Sequence, residues 1–189
     1  MKRAEIIQLR PHAHAEEISD AGLVAACAAD DRMARAILFE RHVEVVHGFI
    51  ARMRSADASA VDDLVQAVFL RAFRAAARFR GTSARSWLLG IAANVVKEHA
   101  RTEIRRKRAL GAIAKLWPRS AEPSDPSVAR LPAAISALSH KLRAAFVLVD
   151  LEGERGVDAA AALGIPEGTL WRRVHEARTR LRELLGDER

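Results

Sequence analysis

The segment VDDLVQAVFLRAFRAA at residues 61–76 places apolar side chains at helical spacing. They recur in pairs every four residues, which makes a wide apolar stripe along one face of a helix and does not match the alternation of a half-buried strand. At about 100° per residue, Asp63, Leu70 and Arg74 fall on the opposite face, with Gln66 on its flank. Tyrosine is absent from the 189 residues and β-branched runs are scarce, whereas alanine and arginine are abundant. The sequence therefore predicts an all-α protein.

Cap residues and composition divide the chain into two parts. Ser19–Asp20 and Asp30–Asp31 are suited to begin helices, the second of which runs to about Arg54. A further helix begins near Ala84, and the segment WPRSAEPSDPS at 117–127 has the prolines and serines of a linker. We therefore predict two helical domains joined by a flexible linker: a flexible tail at 1–17, the first domain at 18–110, the linker at 111–128 and the second domain at 129–189.

The second domain has the layout of a helix-turn-helix. Residues 130–153 predict one apolar helix, and VDAAAAL at 157–163 predicts a short one. Gly164 then makes a turn, and Pro166 fits the first position of a last, amphipathic helix, because its fixed φ suits a helix start. Short helix, glycine turn and amphipathic helix follow each other in this order in DNA-binding proteins. Alanine-rich sequences also form such segments by chance, so the helical pattern alone leaves both interpretations open.

The charge distribution favours a polyanionic partner. The net charge is +7, and residues 65–97 contain six basic side chains and no carboxylate. Residues 105–108 form a further basic cluster. A solvated surface is the alternative, but ordinary surfaces intersperse both signs. Nucleic acid is therefore the expected partner.

Other classes of function find little support in the sequence. The single cysteine, Cys27, excludes an internal disulfide. A buried small hydrophobic residue is a simpler interpretation of Cys27 than a redox switch. We expect no metal, no cofactor and no enzymatic activity, because nucleotide-binding glycine loops, metalloprotease motifs and nucleophile–base pairs are absent. With no secretory signal or membrane-spanning run, the expected location is the cytoplasm, without membrane insertion.

The outer face of the last helix carries an unusual mixture of side chains. Trp171, Arg172, His175 and Glu176 lie opposite its apolar stripe, in the N-terminal half that meets base edges in a helix-turn-helix. Arginine reads guanine bidentately, glutamate accepts from cytosine N4, and an indole packs on sugar or a thymine methyl. Alternatively, Trp171 fills a gap between domains or docks a protein partner.

Two ordered motifs resemble the extracytoplasmic-function (ECF) subgroup of bacterial sigma factors. DDLVQAVFLRAFRAAARFRGTSARSWLLGIAANVVKEHAR at residues 62–101 resembles the core of the family's first domain. LSHKLRAAFVLVDLEG and LGIPEGTLWRRVHEARTRLRELL resemble its second, helix-turn-helix domain. The resemblance covers residues 18–110 and 129–186, and it implies a two-domain factor that binds core RNA polymerase and directs it to promoters. It also implies an anti-sigma factor as a partner.

The resemblance also implies three sets of site residues. The clamp helices of the largest polymerase subunit would be bound by Asp62, Asp63, Leu64, Gln66 and Leu70. The single-stranded −10 element would be bound by Arg78, Arg80, Ser83, Arg85, Asn94, Lys97, Arg101 and Arg105, with one base turned out of the stack. The duplex −35 element would be read by Thr169, Trp171, Arg172, Arg173, His175 and Glu176.

The chain departs from the family pattern at several positions. Ala67 stands where the family often has an acid, and Trp171 and Glu176 stand where basic residues are usual. The short helix has ERGVDAAAA at 154–162, with Gly156 in place of a bulky residue. We expect these positions to carry this chain's own promoter preference.

An ordinary helix-turn-helix regulator that binds duplex DNA without polymerase is the competing hypothesis. Such a regulator has no need of the segment DDLVQAVFLRAF or of a loop for single-stranded DNA. The first domain therefore discriminates between the two.

Overall fold

The computed structural model describes residues 18–54, 60–81, 83–111 and 130–186. These residues form eight α-helices: α1 Asp20–Ala28, α2 Arg32–Arg54, α3 Val61–Ala75, α4 Ala84–Gly111, α5 Arg130–Ala137, α6 His140–Phe146, α7 Gly156–Leu163 and α8 Glu167–Leu185. The described part of the chain contains no strand, as an all-α fold requires. The predicted tail and, apart from Gly111, the predicted linker lie outside the described residues.

The first four helices pack as a bundle whose core comes from the predicted stripes. Ser19 caps α1 by accepting a 3.2 Å hydrogen bond from the Gly22 amide. Val68 on α3, Leu88 on α4 and Phe49 on α2 are fully buried in one hydrophobic cluster. A smaller cluster around Leu23, Val24 and Cys27 attaches α1 to α2 and to the short 3-10 turn Ala76–Arg78. Burial raises the pKa of the Cys27 thiol, which leaves it a poor nucleophile.

The last four helices correct two details of the sequence prediction. The single apolar helix expected at 130–153 is two helices, because Ser139 has extended backbone (ψ 150°) and begins α6 anew. A π-helical turn, Val147–Leu151, then follows α6. Gly164 has φ of +63°, the left-handed conformation that favours glycine at a helix C-cap. Pro166 precedes the last helix instead of opening it: its ψ of 145° makes it the N-cap of α8.

The two groups of four helices pack against each other. One continuous hydrophobic cluster runs from Val46 on α2 through Leu88 on α4 to Leu148 and Leu181 in the C-terminal half. At the contact between α4 and α7, a β-carbon on Gly90 would lie 2.8 Å from the carbonyl carbon of Ala162. Only a glycine allows the two helices to approach this closely. None of the described helices is long and apolar enough to cross a membrane.

Candidate functional site

A groove between α2 and α3 surrounds the outward-facing leucine of α3. Leu70 is 49% exposed. The ring of Phe39 lies 4.7 Å from that of Phe69, and the two form part of an apolar floor. The groove has a volume of about 500 Å³ and is lined by Phe39, Val43, His47, Asp62, Asp63, Val65, Gln66, Phe69, Leu70 and Phe73. An apolar floor with a carboxylate rim is suited to an amphipathic helix that carries basic residues.

The groove gathers four of the five residues predicted for this contact. Asp62, Asp63, Gln66 and Leu70 are exposed along one side of α3 and line the groove. The fifth, Leu64, is only 4% exposed, because it belongs to the apolar stripe that packs into the core. Leu64 therefore packs in the core of this structure and does not line the groove.

Helix α2 supplies the opposite wall of the groove, which the sequence prediction missed. Phe39, Val43 and His47 follow each other at intervals of four residues and therefore lie on one face of α2. His47 Nε2 lies 3.7 Å from an Asp62 carboxylate oxygen across the groove. The four-residue spacing of these side chains was visible in the sequence. It does not show which face of α2 stays exposed, because that depends on how α1 and α3 pack on the helix.

A second cavity, of about 430 Å³, lies beside the basic loop between α3 and α4. Arg78, Arg80, Ser83 and Trp87 line one wall. Trp87 is half-buried, with its ring 5.1 Å from that of Phe79. The opposite wall comes from the second half of the chain, through Val157, Asp158, Ala161 and Ala162 of α7.

Helix α4 continues the basic surface along one face. At about 100° per residue, Asn94, Lys97, Arg101 and Arg105 fall within about 80° of each other. All are exposed except Lys97, which is partly covered. They form a polar strip suited to phosphates, with an amide that can pair bidentately with a base edge.

Arg85 is separated from that strip. It lies about 180° around α4 from Asn94. Its guanidinium donates to Glu154, at 2.9 Å to Glu152 Oε2 and at 3.1 Å to the Glu152 carbonyl. Glu152 also accepts from Arg52 of α2, and Glu154 from the hydroxyl of Ser86. Both carboxylates belong to the segment between the π-helical turn and α7, which the prediction did not connect with the first domain.

The outer face of α8 presents four of its six predicted residues to solvent. Trp171, Arg172, His175 and Glu176 are exposed, whereas Thr169 and Arg173 lie on the flanks and are partly covered. Leu170, Val174 and Ala177 form the buried side.

The two ends of this face differ in what they touch. Trp171, 45% exposed, donates from its indole nitrogen to Glu167 at 3.1 Å. Its ring lies over the start of α7, where a β-carbon on Gly156 would be 2.6 Å from Cζ2. Glu176 instead lines a groove of about 400 Å³ between α8 and the α5–α6 junction. Arg172 and His175 form the centre of the face.

Comparison with known proteins identifies both halves of this arrangement. Residues 38–106 match the family Sigma-70 region 2, and residues 129–181 match Sigma-70, region 4. The RNA polymerase sigma factor CarQ of Myxococcus xanthus is 40% identical over 158 residues, which are 79% of this chain and 88% of CarQ. The ECF sigma factor SigM of Mycobacterium tuberculosis is 36% identical over 174 residues, covering 90% of this chain and 86% of SigM.

This chain belongs to the ECF sigma factors. It is an alternative sigma factor that directs promoter recognition and transcription initiation, and it is not an enzyme. Two solved structures share the fold of this sigma factor. The sigma factor RpoE of Bartonella quintana, in complex with the anti-sigma factor NepR, is 27% identical with a TM-score of 0.61, covering 80% of this chain and 96% of RpoE. CnrH in complex with the cytosolic domain of CnrY is 25% identical with a TM-score of 0.63, covering 90% of this chain and 99% of CnrH.

The family assignment decides between the two hypotheses left open by the sequence. An ordinary helix-turn-helix regulator is excluded, since the first half of the chain matches region 2. Within the described residues, no cluster of histidine, cysteine or carboxylate side chains could hold a metal ion.

Proposed function

We propose that the groove between α2 and α3 binds the clamp helices of the largest subunit of core RNA polymerase. The observation that carries this assignment is Leu70, which is 49% exposed at the centre of an apolar groove with Asp62 and Asp63 on its rim. An apolar centre surrounded by a polar, charged rim is the usual arrangement of a protein–protein interface, and binding would bury Leu70 at that centre. Asp62, Asp63, Gln66 and Leu70 are the proposed contacts, without Leu64.

The proposed DNA interfaces divide between the two halves of the chain, taken as domains at 18–110 and 129–189. The first binds the single-stranded −10 element through Arg78, Arg80, Ser83, Arg85, Asn94, Lys97, Arg101 and Arg105. The second reads the duplex −35 element through the outer face of α8, with Arg172 and His175 at its centre and Thr169, Trp171, Arg173 and Glu176 around them. The basic loop, the polar strip of α4 and the exposed half of α8 support this division.

We further propose a cytoplasmic location and regulation by an anti-sigma factor. Both proposals rest on the family, since core polymerase is cytoplasmic and the RpoE and CnrH structures are complexes with NepR and CnrY.

Substitution of Leu70 tests the polymerase contact. Leu70→Ala should weaken binding of purified core polymerase by about tenfold or more, because it removes an apolar anchor from the groove. Met33→Ala is the matched control: Met33 is 51% exposed on α2 but does not line the groove. Affinity is measured by fluorescence anisotropy of the labelled full-length chain. Equal affinities for both variants would contradict the assignment.

A further inference from the structure

The indole of Trp171 is held in one orientation at the edge of the outer face of α8. Its nitrogen donates to Glu167 at 3.1 Å, and its ring lies over Gly156 at the start of α7. A β-carbon on Gly156 would lie 3.0 Å from both Cε2 of the ring and the accepting oxygen of Glu167, so the three residues meet at one point. The missing β-carbon of Gly156 allows this approach. One edge of the ring is thus packed on backbone while 45% of Trp171 stays exposed.

The exposed part of Trp171 is apolar. An indole has a single hydrogen-bond donor and no acceptor, and Glu167 already accepts from that donor. Every other hydrogen of the ring is bound to carbon, so the ring can make van der Waals contact but cannot pair with a polar base edge. In the major groove, the apolar group that base pairs present is the 5-methyl group of thymine.

An open space lies beside the ring on the outer face of α8. Gly168 precedes Trp171 and Arg172 by three and four residues, so it lies one helical turn before both on the same side. A β-carbon on Gly168 would meet no atom within 4 Å, and the φ of Gly168 is not positive. Glycine within a helix is less favourable than alanine. Neither the backbone nor the packing therefore requires glycine at 168, whereas a group that enters from solvent beside Trp171 would use the space.

The charge at this end of α8 favours a base over the DNA backbone as the neighbour of the ring. Glu167 is exposed in the first turn of α8, and its carboxylate lies beside the indole. A negative charge there repels a phosphate and, with it, the deoxyribose attached to that phosphate. The methyl edge of a thymine carries no such charge. Among the apolar groups of DNA, the thymine methyl group is therefore the better partner for Trp171.

We propose that Trp171 recognises the 5-methyl group of one thymine in the −35 element. Glu167 is the positioning residue that orients the indole, and the space over Gly168 accommodates the methyl group. The proposal rests on the proposed role of the outer face of α8 in −35 binding. It gives this face a base preference, because cytosine and uracil both lack the methyl group.

Replacement of thymine by deoxyuridine tests the contact, because it removes one methyl group and keeps every hydrogen-bonding group of the base pair. The protein is the full-length chain in holoenzyme with core polymerase. The probe is a promoter fragment that the holoenzyme protects in footprinting, with each thymine of the protected −35 segment replaced in turn. At one position the replacement should weaken holoenzyme binding about fourfold, the value expected for the loss of one buried methyl group.

Four variants assign this effect to the indole and its surroundings. In Trp171→Ala and in Gly168→Ala, the replacement should weaken binding by less than about 1.5-fold, because the ring is absent or the space beside it is filled. In Glu167→Ala the effect should fall to about twofold or less, because the indole is no longer held. Glu167→Gln should keep about fourfold, since the amide oxygen still accepts from the indole.

Leu184→Ala is the matched control. Leu184 is another large apolar residue of α8, 52% exposed, near the C-terminal end of the helix. It should keep the fourfold effect of deoxyuridine. Each comparison uses two DNA fragments with one protein preparation, so a loss of folded protein in Trp171→Ala changes both measured affinities alike. Gly168→Ala keeps the fold, because its β-carbon meets no atom within 4 Å.

The proposal is wrong if no thymine of the −35 segment shows the effect in the unsubstituted chain, or if the effect persists in Trp171→Ala. If Trp171→Ala weakens the thymine and deoxyuridine fragments by the same factor, the ring contacts the sugar. If it weakens binding of core polymerase, the ring contacts protein. Both results overturn the assignment. Failure of the −35 role of α8 is recognised separately, since Arg172→Ala would then leave the −35 preference in holoenzyme footprinting unchanged.

Discussion

Gly156 and Trp171 form a packing pair that a double-mutant cycle can measure. Both positions depart from the family pattern, and the structure places the indole directly over Gly156. Gly156 has no positive φ, so alanine is conformationally allowed there. At the first position of α7 alanine would stabilise the helix by about 0.5 kcal/mol if the space were free.

The space is not free while the indole is present. A β-carbon at Gly156 would lie 2.6 Å from Trp171 Cζ2 and 3.0 Å from Cε2, well inside van der Waals contact. Overpacking of this kind costs about 1–3 kcal/mol. After the gain in helix propensity is subtracted from this cost, Gly156→Ala alone should destabilise the chain by about 1 kcal/mol.

Removal of the indole has a separate cost. Trp171 is 45% exposed, so about half of its ~250 Å² is buried. At ~25 cal/mol per Å² this burial contributes about 3 kcal/mol, an upper value because the unfolded chain also covers part of the ring. Trp171→Ala should therefore destabilise the chain by about 2 kcal/mol.

The double variant distinguishes contact from independent effects. Of the three atoms nearest to a β-carbon at 156, two belong to the indole and the third is the flexible end of Glu167. Without the indole, alanine at 156 should therefore stabilise the Trp171→Ala background by about 0.5 kcal/mol. The coupling energy is then about 1.5 kcal/mol. Urea unfolding of all four proteins, followed by circular dichroism, measures it. Additivity of the two substitutions within 0.5 kcal/mol, roughly the error expected for independent sites, would refute the packing pair.

Further predictions concern pH and promoter preference. Burial, followed by the positive charges of Arg143 and Lys97, lowers the pKa of His140 from 6.5 to about 4. The packed structure therefore favours the neutral imidazole ring. The stability that His140 contributes in this form is complete above pH 6.5 and is lost as the pH falls from 6.5 to 4. His140→Asn should flatten that part of the stability–pH profile in urea unfolding, and a profile unchanged by the substitution would count against it. On the outer face of α8, Arg172→Ala and Glu176→Ala should change −35 preference in holoenzyme footprinting and leave core affinity within about twofold; equal loss of core affinity would contradict the assignment. Gly164→Ala should destabilise the second half by about 1 kcal/mol, because φ is +63° there, and thermal unfolding would measure it.

Local pattern predicted most of the architecture. The stripe of α3, the caps at Ser19 and Asp31, and the start of α4 follow from spacing and capping chemistry, which act within a few residues. The predicted start of α2 is confirmed by Asp31, whose carboxylate accepts from the amides of Met33 and Ala34. The break at Ser139 was missed, since the residues on both sides continue an apolar helical pattern and only backbone geometry separates α5 from α6.

Site prediction was limited for a different physical reason. Leu70 and Leu64 are both leucines of α3. Only their angular positions around the helix axis distinguish the exposed residue from the core residue. Arg85 was grouped with Asn94 because both are polar residues of one motif, although they face opposite sides of α4. A motif specifies the order of residue types along the chain. Which side chains contact each other depends on how the chain folds in three dimensions.

The sequence by itself determined the helices, their apolar faces, the basic character of the first half and the family, because these depend on periodicity, charge and ordered motifs. The tertiary structure alone decided which long-range partners meet: Glu152 and Glu154 with Arg85, Ala162 with Gly90, and Trp171 with Gly156. The first two contacts join residues about seventy positions apart, and the last joins two helices across a turn. Such contacts depend on how helices cross, and the spacing of residues within one helix does not specify that crossing.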